Sequence, residues 1–350
     1  MNFTYTSYPN QVLFGKGKTE ELPSILKPYK KVMAMGEERW SSHIEKVSKA
    51  LGDNKLYYFP EIIQHVPQHL VEKAMVKLKE EKPDVLLAFG GGSSVGLAKA
   101  LALETKLPII AVPTTYSGSE QTYIWGISSE EGKTTGKSMD VMPKVVIYDA
   151  NLTATLPLSL AVTSGMNAMA HLMEAIYAPN GNPVTRHHAL LGVEKIKRGL
   201  EEVAREQRLT EKANIDIQFG AYLAGKCLCE VSMSLHHKMA HVLGGSFKLE
   251  HSYVHTVIQP FVLNYQWPYL SDEIKSDFVQ VLGHQPANKL QELSAKAGGP
   301  TDLKSIGFKQ EDIDKAVETV LAKPYENVAP LEKAKLVDML NHAYEGSLDG

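Results

Sequence analysis

The first 150 residues alternate short β-rich runs with helical ones, and after about Leu156 the β-runs stop. The runs are Lys31–Met35, Lys55–Phe59, Asp84–Phe89, Pro108–Val112 and Lys144–Tyr148, with helical periodicity over Trp40–Leu51, His69–Glu81 and Ser94–Glu104 between them. Parallel strands need a crossover long enough to hold a helix, so this alternation predicts a parallel sheet covered by helices. Ahead of it, residues 3–14, broken at Pro9-Asn10, read as a small β-hairpin. Beyond Leu156 the pattern is helical: Ser164–Tyr177, Thr185–Arg205, Thr210–Glu230, Leu235–Leu243, Thr256–Tyr265, Asn288–Ala297, Gln310–Ala322 and Leu331–Tyr344, punctuated by prolines. A chain of 350 residues exceeds one ordinary core. The expected organisation is an α/β domain over 1–156 and an all-helical domain over 157–350.

Composition narrows the class. With 43% hydrophobic and 22% charged residues, the chain reads as an ordinary globular protein. A net charge of -3 gives no reason to expect a nucleic-acid or membrane partner. There is no apolar run of about 18 residues and no basic-then-apolar N-terminus, so neither a membrane span nor a secretory signal is expected. The cysteines are Cys227 and Cys229, too close for an easy disulfide and too few for structural zinc. They fit a reduced, cytoplasmic protein.

Two loops in the first half carry binding chemistry. The strand Asp84–Phe89 runs into Gly90-Gly91-Gly92-Ser93 and then a helix. Such a turn lets the backbone approach a pyrophosphate, and the helix start offers free N–H groups and a positive dipole end. The spacing is not G-x-G-x-x-G, so a bare connecting turn is the alternative. Glu37, after the first strand, is placed to accept from ribose hydroxyls, which favours NADH and leaves NADPH open. A second loop, Pro113-Thr114-Thr115-Tyr116-Ser117-Gly118-Ser119-Glu120, puts hydroxyls at the C-terminal end of another strand.

The second half carries three pairs at helical spacing: Asn167 with His171, His237 with His241, and His251 with His255. Members of each pair share a helix face, and Glu174 continues the polar stripe of the first. Neutral imidazoles suit zinc or iron(II), but a tight cation site usually adds a carboxylate, and Asn167 is neutral.

In this order, these motifs resemble the iron-containing (group III) alcohol dehydrogenase family, and within it the maleylacetate reductase branch. The marking segments include Gly90–Ser93 with Gly96–Ala100, Pro113–Glu120, Ile124–Ile127, Lys133–Lys137, Thr163–His171 and Glu174–Ala178. The resemblance implies a dehydroquinate synthase-like fold, with the active site between a dinucleotide-binding domain and a helical domain. It implies cofactor contacts at Glu37, Gly90, Gly91, Gly92, Ser93, Thr114, Thr115, Ser117, Ser119 and Lys133. The metal ligands of metal-dependent members, one Asp and three His, fall on Asn167, His171, His237 and His251, and His241 matches a further histidine near the nicotinamide. Asn for Asp is typical of the reductase branch, so iron or zinc is not expected to be required; if bound, its ligands would be His171, His237 and His251. Glu250, where proline is usual, and Gln259-Pro260, where Leu-Pro is usual, depart from the pattern.

The expected activity is NAD(P)H-dependent reduction of maleylacetate, and of chlorinated maleylacetates, to 3-oxoadipate in aromatic-compound breakdown. His171, His237, His241, His251 and Asn167 would be catalytic, and Tyr116, Tyr123, Lys238 and Arg186 would hold a small dicarboxylate. A homodimer is expected because the N-terminal hairpin of this family commonly pairs across one. The competing readings are a metal-dependent alcohol or polyol dehydrogenase of the same family, a lyase-type cyclase and a non-catalytic dinucleotide sensor. The cyclase would need a metal carboxylate and a basic phosphate pocket, and neither is found.

Overall fold

A computed structural model describes residues 2–130, 132–323 and 325–348, without the side chain of Lys133. The chain forms two compact units, one spanning Ser7–Thr155 and the other spanning Leu156–Gly350 together with Met1–Thr6. Residues 1–6 therefore group with the helical unit and not with the α/β unit to which the sequence assigned them; the Tyr5 hydroxyl donates to Glu230 at 2.9 Å.

The first unit contains strands β1 (Gln11–Phe14), β2 (Val32–Met35), β3 (Leu56–Phe59), β4 (Val85–Gly90), β5 (Ile109–Pro113), β6 (Ile124–Ser129), β7 (Gly132–Lys137) and β8 (Val145–Tyr148). Its helices are α1 (Leu22–Leu26), α2 (Ser41–Leu51), α3 (Gln68–Glu81), α4 (Gly92–Thr105) and the single turn α5 (Ala150–Thr153). Six strands form one parallel sheet in the order β1-β8-β5-β4-β2-β3. β2, β4 and β5 are buried along their whole length, as a sheet covered on both faces requires.

Strand order reverses between β2 and β4. From β2 the chain moves outward to β3, then returns to lay β4 on the other flank of β2 and continues to β5. Ligands of open α/β sheets sit at such a switch point, beyond the carboxyl ends of the strands. Gly36 and Gly90 mark those two strand ends here.

Two expectations need correction. Residues 3–14 do not form a hairpin: Gln11–Phe14 alone is a strand, and it pairs in parallel with β8, Gln11 opposite Val145. A proline in the preceding segment supplies no amide for a ladder, and β8 offers this strand a complete one. The sequence reading also lacked a separate antiparallel ribbon, β6 with β7, whose Gly136 leaves room for the Trp125 ring.

The ribbon and the loop before it are anchored by a buried lysine. Lys99 on α4 is 1% exposed, and its Nζ donates to the carbonyls of Ser119, Thr122 and Ile124 at 2.7–2.8 Å and to Thr122 Oγ1 at 2.9 Å.

The second unit is built of α6 (Leu158–Tyr177), α7 (Pro183–Glu206), α8 (Glu211–Glu230), α9 (Leu235–Ser246), α10 (His251–Gln266), α11 (Asp272–Leu282), α12 (Pro286–Lys296), α13 (Ile313–Leu321) and α14 (Lys333–Glu345). α11 was not anticipated. α10 begins five residues before the expected Thr256, so His251 and His255 lie on one continuous helix. Every residue of α6 from Ala161 to Tyr177 is buried, which makes it the central helix of the unit. Both cysteines are buried and free, and burial pushes the Cys227 thiol up. Among the described residues no helix is long and apolar enough to cross a membrane.

Because removing Lys99 would take this donor from the Thr122 and Ile124 carbonyls, Lys99→Met is expected to lower the unfolding free energy by about 3 kcal/mol. Urea denaturation checks this; a loss below about 0.5 kcal/mol would show that the ribbon is not anchored there.

Candidate active site

At the switch point, two backbone turns crowd together. A Cβ on Gly36 would lie 2.5 Å from the Phe89 carbonyl oxygen, and one on Gly90, where φ is +156°, would lie 2.3 Å from Ser94 Oγ. Only glycine fits either place. The hydroxyl loop after β5 lies against the same turn: Thr114 N–H donates to the Gly90 carbonyl at 3.0 Å. A Cβ on Gly91 would meet Thr115 Oγ1 at 3.2 Å, and one on Gly92 would meet Ser117 Oγ at 3.5 Å. Gly90, Gly91, Gly92, Thr114, Thr115 and Ser117 are thereby brought together, with Ser93 on the first turn of α4.

This cradle has the chemistry of an anion site. α4 starts at Gly92 with no side-chain cap and no acidic residue in its first turn, so its leading N–H groups face outward at the positive end of the helix dipole. Ser94 Oγ and Thr114 Oγ1 are buried without a hydrogen-bond partner, which a buried hydroxyl rarely tolerates unless a ligand or water completes it. Ser94 was not among the expected contacts; its position one turn into the helix was the available signal. The residues therefore fit a dinucleotide pyrophosphate. Glu37 follows β2 at the same edge, paired with Arg39 at 2.5 Å, so a carboxylate and a guanidinium both stand where a ribose would lie.

Other expected contacts are occupied. The Ser119 carbonyl accepts from Lys99. Tyr116 is buried, its hydroxyl bonded to Thr153 and pushed up by burial. Glu120 is fully buried; it accepts from Tyr148 at 2.7 Å and Ser117 at 3.2 Å, and burial raises its carboxyl. Tyr123 stacks on Tyr8 with ring centroids 4.9 Å apart. The Lys133 side chain lies outside the described residues. A cavity of about 510 Å³ opens between α3 and the ribbon, but none of the expected site residues lines it.

The helical unit gathers its histidines around one buried carboxylate. Glu174, 1% exposed on α6, accepts backbone N–H groups from Ser234 at 2.9 Å and His236 at 2.8 Å. These are leading amides of α9, whose cap residue Ser234 makes no side-chain bond of its own, so Glu174 caps α9 from another helix. The same carboxylate lies 2.6 Å from His237 Nδ1. His237 Nε2 is in turn 2.6 Å from His171 Nδ1, one helical turn along α6 from Asn167.

A second chain runs beside the first. His236 Nε2 is 2.8 Å from His255 Nδ1, and His255 Nε2 is 3.1 Å from His251 Nε2. His241, exposed, stacks on half-buried His251 with centroids 6.0 Å apart. The structure thus brings together His171, His237, His241 and His251, and adds Glu174, His236 and His255. Asn167 is buried with Oδ1 unpartnered. Gln259 reaches from α10 to the Met166 carbonyl at 3.1 Å, tying that helix to the α6 backbone beside Asn167.

Two expected carboxylate holders stand elsewhere. Arg186 is engaged by Glu273 and Asp277, and Lys238 lies over the Tyr325 ring at 5.9 Å.

As they stand, these residues do not fit a metal ligand set. His171 and His237 turn ring nitrogens on each other, and His251 turns one on His255. Among the described residues no group of three or more His, Cys, Asp or Glu is placed to hold a metal ion. The donor set implied at 167, 171, 237 and 251 also lacks an anionic member.

Burial, reinforced by the neighbouring imidazoles, holds His236 and His255 well below the ordinary histidine value of 6.5. The unfolded chain takes up protons below about pH 6.5 while these two buried rings refuse them. Their contribution is therefore complete above that pH and is lost as pH falls. The urea midpoint is expected to hold from about pH 8 to 6.5 and then drop, by up to about 1.4 kcal/mol per pH unit for each ring. A midpoint unchanged down to about pH 5.5 would contradict this.

Comparison with known proteins identifies the family. The family model described as "Iron-containing alcohol dehydrogenase" matches residues 9–150, and "Fe-containing alcohol dehydrogenase family, C-terminal" matches 161–344. Maleylacetate reductase from a Pseudomonas species is 38% identical over 348 residues, covering 99% of both chains. The Sphingobium indicum enzyme of that name is 36% identical over 99% of this chain and 98% of its own. The crystal structure of maleylacetate reductase from a Rhizobium species superposes with a TM-score of 0.94 at 33% identity, over 99% of each chain. The chain belongs to the iron-containing alcohol dehydrogenase family and is an NAD(P)-dependent oxidoreductase similar to maleylacetate reductases.

Proposed function

We propose that the enzyme reduces the carbon–carbon double bond of maleylacetate, giving 3-oxoadipate, with NADH as the preferred donor. The observation that carries this reading is the neutral amide of Asn167, its Oδ1 unpartnered, one helical turn from the imidazole of His171. Relatives named maleylacetate reductases that match the whole chain support it.

A reduced nicotinamide, when bound, would supply a hydride to the alkene carbon. Charge then develops on the conjugated ketone oxygen as an enolate, and donors must be waiting for it. Imidazoles can donate hydrogen bonds there, and one of them in the protonated form can hand over the proton that completes the reduction. Asn167 offers a neutral amide N–H₂. Its neutrality matters because the substrate is a dianion: at an effective dielectric near 20, a like charge at about 4 Å costs on the order of 4 kcal/mol. An alcohol dehydrogenase gripping an alkoxide through a cation has the opposite need, an anionic ligand to hold the metal.

Two experiments test the reading. Purified protein should oxidise NADH in the presence of maleylacetate, and EDTA should leave the rate unchanged. No turnover, or turnover that depends wholly on added iron, would overturn the proposal. Asn167→Asp should raise KM for maleylacetate at least about tenfold and increase metal uptake; an unchanged KM with no metal uptake would remove the charge argument.

A further inference from the structure

We infer that Glu120 is a positioning residue of the dinucleotide cradle: its buried carboxyl fixes the Ser117 hydroxyl beside the start of α4, where that hydroxyl meets the pyrophosphate. This rests on the dinucleotide reading of the cradle and not on which substrate is reduced.

Glu120 is a costly residue for its place. It is 0% exposed, and burial raises its carboxyl. A buried carboxyl disfavours folding unless hydrogen bonds answer it. The backbone around it is held by Lys99, whose Nζ donates to the carbonyls of Ser119 and Thr122 at 2.7 Å. The side chain is held by Tyr148, whose hydroxyl donates to Glu120 Oε1 at 2.7 Å. That hydroxyl accepts from Gln121 Nε2 at 3.1 Å, and Gln121 Oε1 accepts from Asn10 Nδ2 at 2.9 Å. The bonds share one polarity, from the residue ahead of β1 to the last residue of β8 and on to Glu120.

Glu120 Oε2 is the far end of this brace, and Ser117 Oγ donates to it at 3.2 Å. Gly118, at φ +78°, turns the chain so that Glu120 can reach back to a residue three positions earlier. The same Ser117 oxygen lies 3.5 Å from where a Cβ on Gly92 would be. Gly92 opens α4, whose leading amides have no side-chain cap. The hydroxyl therefore stands at one wall of the anion site, at a place set by Glu120. A serine side chain otherwise chooses among three rotamers, and a tie to a braced oxygen selects one before the ligand arrives. An ionised carboxyl takes the Ser117 hydrogen, and a protonated one can give its own to Ser117 Oγ. Both keep the tie, so position and not charge is what Glu120 supplies.

The test uses the full-length protein and reads binding without any substrate. NADH and ADP-ribose, which keeps the pyrophosphate and lacks the nicotinamide, are titrated by calorimetry. Glu120→Leu is expected to raise both Kd values about fivefold or more. Glu120→Gln, whose amide can still accept from Tyr148 and donate to Ser117, should recover most of that loss. In a Ser117→Ala background, Glu120→Leu should cost less than about a further twofold, because the residue it acts through is gone. A carboxyl that merely supports the loop would cost the same in both backgrounds, and that result would overturn the inference. So would a loss confined to NADH, or a Glu120→Gln protein as weak as Glu120→Leu. Should Glu120→Leu fail to fold, Tyr148→Phe, which takes the hydroxyl from Oε1, is measured in the same two backgrounds. It should weaken both ligands at least about twofold where Ser117 is present and not where it is replaced; an equal effect in both would overturn the inference. Wild-type protein that binds neither ligand would remove the dinucleotide reading and this inference together.

Discussion

A carboxylate buried in an apolar helix bundle must have every lone-pair direction answered, and meeting that demand at Glu174 organises the histidine cluster. α6 is buried from Ala161 to Tyr177, so a charged group on it has no water to turn to. Its partners come from the start of α9, where leading amides need acceptors as much as the carboxylate needs donors. This mutual satisfaction sets the position of α9 along α6 and brings His237 within reach of His171. α10 is then held against α6 by Gln259, which donates to the Met166 carbonyl, and His255 meets His236. The histidines are thus arranged by hydrogen bonds that tie α6 to α9 and α10.

The α/β unit solves a different problem, approach instead of satisfaction. Its binding edge is a place where side chains are excluded: Gly36 against the Phe89 carbonyl, Gly90 against Ser94, Gly91 against Thr115. Without Cβ atoms the turn packs directly against the Phe89 carbonyl, Ser94 and Thr115, which sets these groups beside the leading α4 amides. Ser94 and Thr114 keep unpartnered hydroxyls at the same place. Lys99 supports this from behind by holding the segment from Ser119 to Ile124, so the hydroxyl loop is braced at its far end.

Much of this was legible in the sequence, for identifiable reasons. Parallel strands in a covered sheet are short apolar runs, and five of the six in the sheet stood out; the two glycine-bearing loops announced themselves by composition. What failed was what depends on tertiary partners. Gln11–Phe14 looks like half of a hairpin because its true partner, β8, lies more than 130 residues away. The β6–β7 ribbon is rich in Ser, Thr, Gly and Lys and shows no apolar alternation. The switch point cannot be read from local pattern, because strand order is a property of the assembled sheet. In the helical unit, i, i+4 spacing revealed three pairs but hid His236, which sits on another face of α9 and finds its partner on α10. Glu174 was visible as part of a polar stripe; its role as a cap was not, since the helix it caps begins 60 residues later.

The placement of charge then explains why Asn167 and Glu174 belong together. Both lie on α6, seven residues apart and so on nearly the same face, with His171 between them. An aspartate at 167 would put a second anion beside an imidazole pair that already has one. That suits a metal site, where a cation offsets both charges; on the proposed reading, without a cation, the same anion would repel the dicarboxylate substrate. On the proposed reading, a neutral amide at 167 leaves the approach to the rings open to an anionic substrate. On the proposed reading, the asparagine is the consequence of using imidazoles instead of a metal as the electrophile, and Glu174 fixes where those imidazoles stand.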